Sequence, residues 1–354
     1  MEYIKGRGAQ TNTQNKFLKN EHNLLDEFLN YCEIQNEKVE QSSTSYLEVF
    51  PKTILNKVTS PDIGFVYSMN PYQGCEHGCI YCYARNSHEY WGYSAGLDFE
   101  KKILYKSNAA QLLKKKLQSR SWQPENIMLS GNTDCYQPIE RKLKITKAML
   151  EVILEHKHPV SIITKNALIL RDLDLLKELA SLNLLKISIS ITSLSEKTRT
   201  FLEPRTATIK RRFEVVKILS DNGIPVNVMI APIIPSINSH ELLPLAKKAS
   251  ESGANSIGYT TIRLNGAIGE IFRDWLNKTY PDRANKVVNQ IKEIHEGTLN
   301  ESRYGIRMRG VGQIAEQIKQ QFLLAKKLYF KHERRIDFDL SLFDKNPSSQ
   351  MKLF

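Results

Sequence analysis

The sequence predicts an α/β fold, an open partial barrel of six βα units with N- and C-terminal extensions. Three observations predict it. From about Asn126, short β-branched runs alternate with longer amphipathic stretches, the two periodicities that mark strands and helices. Single helical patterns separate successive strand patterns, which implies parallel pairing through right-handed crossovers. The densest group of reactive side chains follows the first strand, at the end where parallel α/β folds collect their chemistry. Six units are too few for a closed eight-stranded barrel, which typically takes about 250 residues.

In chain order, residues 1–60 read as a polar extension broken by Asn, Gln and Ser, with one helix around Glu21 to Glu37 carrying Cys32. The barrel domain is expected over 61–295. Its strands are Phe65 to Met69, Ile127 to Leu129, Val160 to Thr164, Leu185 to Ile191, Pro225 to Ile230 and Asn255 to Ile262. Helical patterns cover Lys142 to His156, Arg171 to Ser181, Ile209 to Asn222 and Ser239 to Ser252. Gly223 sits where a helix C-terminus needs positive φ, and Ser239 with Glu241 resembles an N-terminus. A C-terminal region over 296–354 adds a strand-like basic piece (Tyr304 to Arg309), an amphipathic helix (Gly312 to Tyr329) and a polar tail.

At 354 residues, with 41% hydrophobic and 25% charged side chains, the chain can bury a core and is not a disordered polymer. The N-terminus lacks an apolar export segment, and no apolar run reaches the roughly 18 residues of a membrane span, so the expected location is cytoplasmic, with no membrane partner. The net charge of +12 favours polyanionic partners, nucleic acid above all. The same basic runs, Lys210 to Arg212 among them, also suit solvated helix faces.

Five cysteines, an odd number without an export signal, argue against a disulfide framework. Three of them lie within eight residues, in Gly74-Cys75-Glu76-His77-Gly78-Cys79-Ile80-Tyr81-Cys82. Thiolates so close repel one another unless a cation compensates them. Three can reach three corners of an iron–sulfur cubane if Gly74 and Gly78 let the loop bend, leaving one iron open to a substrate or cofactor. Structural zinc, with Cys135, His77 or His88 as fourth ligand, is the alternative; zinc sites usually come as two cysteine pairs, and no second pair exists.

The spacing CxxxCxxC, with aromatic Tyr81 before the last cysteine and on a loop after the first barrel strand, resembles the radical S-adenosylmethionine (SAM) superfamily across roughly Pro61 to Leu264. That resemblance implies a partial barrel holding a 4Fe-4S cluster on Cys75, Cys79 and Cys82. It further implies SAM chelated at the open iron and cleaved reductively to a 5'-deoxyadenosyl radical that abstracts hydrogen, and an electron donor such as a flavodoxin or ferredoxin. Tyr83-Ala84-Arg85, His88-Glu89-Tyr90, Ser94 to Glu100, Thr133 to Pro138 and Leu202-Glu203-Pro204-Arg205 resemble a bacterial group related to spore photoproduct lyase and often labelled DNA repair photolyase.

Carried onto this chain, the superfamily's turn after the second strand makes Thr133 and Asp134 candidates for the SAM amine, although Gly-Gly-Glu is missing and Asp134 would serve equally as a helix cap. Lys165 and Ser190, at strand ends, are candidate cofactor contacts, as is Tyr81. Glu203 and Arg205 flank Pro204, and the guanidinium suits SAM's carboxylate or a substrate phosphate; a surface ion pair is the plainer reading. Cys135 is a candidate hydrogen donor, since spore photoproduct lyase uses an additional cysteine, although a buried inert thiol is commoner. Gln350, Leu353 and Phe354 resemble the peptide that docks on the bacterial sliding clamp, echoed weakly by Asp339 to Phe343. The expected function is radical SAM chemistry on damaged or modified nucleic acid. The alternatives are a radical SAM enzyme acting on a protein or small metabolite, and a non-enzymatic zinc- or cluster-containing DNA-binding or redox-sensing module.

Overall fold

Isoleucine- and valine-rich runs become strands because β-branched side chains fit a pleated, buried surface. The computed structural model describes residues 3–17, 43–331 and 337–347. Its strands are β1 (Ser45–Glu48), β2 (Leu55–Lys57), β3 (Tyr67–Met69), β4 (Tyr72–Gln73), β5 (Lys102–Tyr105), β6 (Ile127–Leu129), β7 (Val160–Thr164), β8 (Leu185–Ser190), β9 (Val226–Ile233) and β10 (Ser256–Thr261). Seven form one sheet in the order β10-β9-β8-β7-β6-β3-β2. The six from β3 to β10 in this sheet pair in parallel, and β2 is antiparallel to β3. These are the six expected units of a partial barrel.

Residue alternation decides which side of the sheet holds the core. Leu185, Ile187 and Ile189 of β8 and Val226, Val228 and Ile230 of β9 are buried together. They pack with Met149, Leu176, Val216 and Leu245 of the helices Ile145–Glu155, Leu173–Ser181, Ile209–Asp221 and Leu242–Glu251. The opposite face carries a polar ladder, in which Ser256 Oγ donates to Asn227 Oδ1 (3.0 Å) and Asn227 Nδ2 to Ser188 Oγ (3.1 Å). Gly223 has the positive φ, +74°, expected after a helix end. The helix expected from Ser239 instead begins at Leu242, after a 3-10 turn over Ser239–Glu241, and Lys144 at φ +54° splits the helix expected over Lys142 to His156 into Glu140–Leu143 and Ile145–Glu155.

Other features depart from the sequence reading. A second sheet, β1-β5-β4, takes β1 from inside the polar extension, β4 from just before the cysteines and β5 from the chain after them. The helices Ile268–Thr279 and Ala284–Ile294 build a second core with Phe272, Trp275, Ile291 and Ile80. Tyr304 to Arg309 is not a strand: Gly305 and Gly310 take positive φ, Arg307 N–H bonds to Arg303 O (3.0 Å), and the segment turns back on itself. Arg307 forks onto Asp62, fixing that turn to the chain before β3.

The C-terminal segment returns to the strand-start pole. Asp344 N–H bonds to His156 O (3.0 Å), Asp339 N–H to Asn183 O (3.2 Å), and the Phe343 ring lies edge-on to His158 at 5.4 Å. The helix expected at Glu21 to Glu37 with Cys32, and the tail residues Gln350, Leu353 and Phe354, lie outside the described residues. Among the described residues no helix is long and apolar enough to cross a membrane. Phe272 is fully buried, so Phe272→Ala should lower stability by about 3–5 kcal/mol, measured by urea unfolding of the apo protein.

Candidate active site

The chain leaves β3 at the C-terminal end of the parallel sheet and enters the cysteine loop, whose conformation two glycines permit. Gly74 and Gly78 have φ of +79° and +66°. A Cβ on Gly78 would stand 2.7 Å from Glu100 Oε2, so the position also demands the missing side chain. Having no regular structure, the loop is hung from its surroundings. Gln137, fully buried, accepts from Glu76 N–H (3.0 Å) and donates to Gly74 O (3.2 Å). Glu76 accepts from Ile139 N–H (2.9 Å) and from Tyr46 (2.8 Å), while Cys75 N–H reaches Phe99 O (2.8 Å) and Ile80 N–H reaches Leu202 O (3.0 Å).

Cys75 and Cys79 are 6% and 7% exposed and Cys82 is partly buried; all three are free thiols. Burial pushes each thiol pKa up, Cys79 to about 12. Three thiols on one loop, two buried and one partly buried, each disfavouring its anion until a cation compensates it, fit an iron–sulfur cluster as a donor set. Among the described residues, no group of three or more His, Cys, Asp or Glu side chains is arranged to hold a metal ion.

Asp134, on the loop after β6, is drawn onto the cysteine loop. Its Oδ2 lies 3.3 Å from His77 Nδ1 and accepts from Lys165 N–H (2.9 Å), while Oδ1 accepts from Thr164 (2.8 Å) and Tyr136 N–H (2.9 Å). Burial opposes its charge, but His77 and these donors bring the carboxyl pKa down to about 2. Asp134 caps no helix, because the next one begins at Glu140 behind Ile139; its bond to Tyr136 N–H closes a local turn beside the bridge to His77. Thr133 is 1% exposed and donates to Tyr72 O (2.6 Å), which fixes the loop.

Lys165 ends β7 with its ammonium 5.9 Å from the centre of the Tyr81 ring. Burial works against its charge, yet Cys79 and Glu203 nearby hold its pKa above the ordinary value. Tyr81 donates to Glu203, and Glu203 also accepts from Thr192 (2.5 Å) and from Arg212 (2.5 Å). Arg212 additionally donates to Ser190 O (3.0 Å) and Ala207 O (2.9 Å). Glu203 and Arg205 therefore part company. Glu203 is fully buried and turned inward, whereas Arg205 is exposed and only its backbone meets the cysteine loop, N–H to His77 O at 3.3 Å.

The structure thus brings Asp134, Lys165 and Glu203 to the cysteine loop that carries Tyr81, while Ser190 is linked to them only through its carbonyl on Arg212. Cys135 lies in the larger core at 0% exposure, its N–H on Ser130 Oγ (2.6 Å) and its carbonyl taken by Thr146 (2.7 Å). Sequence reading missed Arg212, which it placed on a solvated basic face; 1% exposed, it continues the buried stripe of Ile209, Val216 and Leu219. That stripe was the available signal. It also missed Arg85 and Glu100, a fully buried ion pair behind the loop at 2.5 Å. Tyr83, beside Cys82, is exposed and donates to Gly131 O at 2.5 Å.

The fold and site define a class: a partial α/β barrel presenting a three-cysteine loop at the C-terminal ends of its strands. The sequence profile of the Radical SAM superfamily matches residues 69–249, and the chain belongs to that superfamily. An uncharacterized protein of Mycobacterium tuberculosis is 30% identical over 254 residues, 71% of this chain and 74% of that protein. One from Methanocaldococcus jannaschii is 28% identical over 249 residues, 70% of this chain and 89% of its own. Among solved structures, spore photoproduct lyase complexed with dinucleoside spore photoproduct has the same fold, with a TM-score of 0.58 at 15% identity over 80% of this chain and 79% of its own.

The Glu203 carboxyl has a pKa near 2 against an ordinary 4.5, because its partners overcome burial. A lowered folded-state value gives stability that is complete above pH 4.5 and is lost as pH falls towards 2. Glu203→Gln should remove that part of the acid limb, and should cost about 3–5 kcal/mol at neutral pH by leaving Arg212 buried without its partner. Urea unfolding of both proteins across pH 3 to 7, on the order of four steps, checks slope and offset together.

Proposed function

We propose that this protein is a radical SAM enzyme that binds a 4Fe-4S cluster through Cys75, Cys79 and Cys82 and abstracts hydrogen from a damaged or modified nucleic acid. The observation that carries the cofactor reading is the placement of three thiols, two buried and one partly buried, on one clamped loop at the C-terminal end of the first parallel strand. Superfamily membership supports the same chemistry. When bound, the cluster supplies the single electron for reductive cleavage of SAM.

The chain's own groups have separable tasks. Gln137, Glu76 and the Tyr81–Glu203–Arg212 chain keep in place the backbone of the loop whose thiols would hold the cluster. Asp134, charged at neutral pH and tied to His77, offers a carboxylate beside the loop for an ammonium group. Lys165, just past β7, and Ser190, at the end of β8, are assigned to orienting a nucleoside and an amino-acid carboxylate, and the burial of Cys79, Tyr81 and Glu203 would help exclude water from a reactive radical.

The nucleic-acid substrate is supported by the net charge of +12 and by the fold shared with spore photoproduct lyase, a mutant of which has been solved with AdoMet and dinucleoside spore photoproduct bound. Anaerobic reconstitution with iron and sulfide, then dithionite and SAM, should yield 5'-deoxyadenosine, and Cys79→Ala should reduce the yield to background. Ultraviolet-damaged DNA should raise the yield above undamaged DNA. Equal yields would remove the lesion from this reading, and no deoxyadenosine from a protein with an intact cluster would sink it.

A further inference from the structure

Residues 3–17 have no regular secondary structure, yet they run along the outside of the cysteine loop and the chain that follows it. Consecutive amides fasten them to one carboxylate: Gly8 N–H reaches Glu100 Oε2 (3.1 Å) and Ala9 N–H reaches Oε1 (2.7 Å). Arg85 shares that carboxylate (2.5 Å) and donates through Nε to the carbonyl of Cys79 (3.0 Å). Arg85, Glu100 and Ala9 are each 0% exposed. A dry, unbroken hydrogen-bond path therefore joins the N-terminal segment to the backbone of a cysteine.

Two glycines show how close the segment lies. A Cβ on Gly8 would fall 1.7 Å from Gly78 O, and one on Gly96 would fall 2.1 Å from Thr11 O, so neither position accepts a side chain without separation of the two strands of backbone. Farther along, Thr13 N–H reaches Ser94 Oγ (2.8 Å), Asp98 N–H reaches Asn12 Oδ1 (3.0 Å), and Asn15 Nδ2 donates to Glu89 O (2.9 Å) and Tyr93 O (3.1 Å). Ala9 joins Cys79, Ile80 and Tyr81 in one apolar cluster.

We infer that residues 3–17 are a strap forming the outer wall of the cysteine loop, and that Glu100 is the positioning residue through which the strap holds Cys79. The reading of Cys75, Cys79 and Cys82 as cluster ligands is assumed only for what the strap protects; the clamp itself is a property of the apo chain. The barrel holds the loop from one side through Ile80 and Tyr81, and the strap holds it from the other. Second-layer contacts of this kind set how firmly a ligand loop keeps its metal, and their loss commonly costs ten- to hundredfold, roughly, in affinity.

Gly8→Val in the full chain tests the strap, with Gln14→Ala, at an exposed strap position, as control. In the apo protein, hydrogen–deuterium exchange across 75–82 should accelerate in Gly8→Val and not in the control. In reconstituted protein, iron release to a ferrous chelator should quicken on the order of tenfold. The electron paramagnetic resonance spectrum of the dithionite-reduced cluster should also change. Should Gly8→Val fail to fold, Asn15→Ala removes three hydrogen bonds without a clash, two of them from the strap to Glu89 O and Tyr93 O, and should accelerate the same exchange less strongly. Unchanged exchange in the folded variant overturns the strap. A wild-type protein that takes up no iron, with exchange still accelerated by the variant, overturns the cluster reading alone.

Discussion

The cysteine loop is held by buried carboxylates. Glu76, Glu100 and Glu203 are each at most 3% exposed, and each collects donors from at least two separate stretches of chain. A buried charge is tolerated only when fully bonded, so each glutamate forces several segments to meet at one point. Arg85 and Arg212 complete two of these knots and spend their remaining N–H groups on backbone carbonyls. A loop without regular structure thereby acquires a fixed shape from outside itself. The sheets and helices deliver the donors to the right places.

The six-unit order, the parallel pairing and the cysteine loop were legible because each has a local signature. Val160 to Thr164 and Ile127 to Leu129 are strands at the expected bounds, since an apolar β-branched run needs no distant partner to be recognised. What escaped depends on partners far away in sequence. β1 is wholly exposed along its length and finds its place only by pairing with β5, more than fifty residues on. Arg212 reads as one more surface cation until Glu203 is brought to it, and Glu203 reads as Arg205's neighbour until the chain turns it inward. The helices after β10 were missed because mixed charges interrupt stripes that Phe272, Trp275 and Ile291 in fact bury.

Charge follows the same division of labour. Asp134 and Glu203 both keep carboxyl pKa values near 2 in spite of burial, whereas the cysteine thiols are pushed upward. The permanent anions are those already balanced by the chain. The thiols are the groups whose charge the chain itself does not balance, and the proposed cluster would supply that balance.

The C-terminal segment gives the molecule a second direction. Asp339, Phe343 and Asp344 bind at Asn183, His158 and His156, and Lys345 reaches Arg120 O (3.1 Å), all just ahead of strand starts. Phe343 is therefore spent on the protein's own surface and is not presented outward. The chain passes Pro347 at the pole opposite the cysteine loop. The described chain thus closes the strand-start end of the barrel with its own residues, and its C-terminal contacts leave the cysteine loop at the other end uncovered.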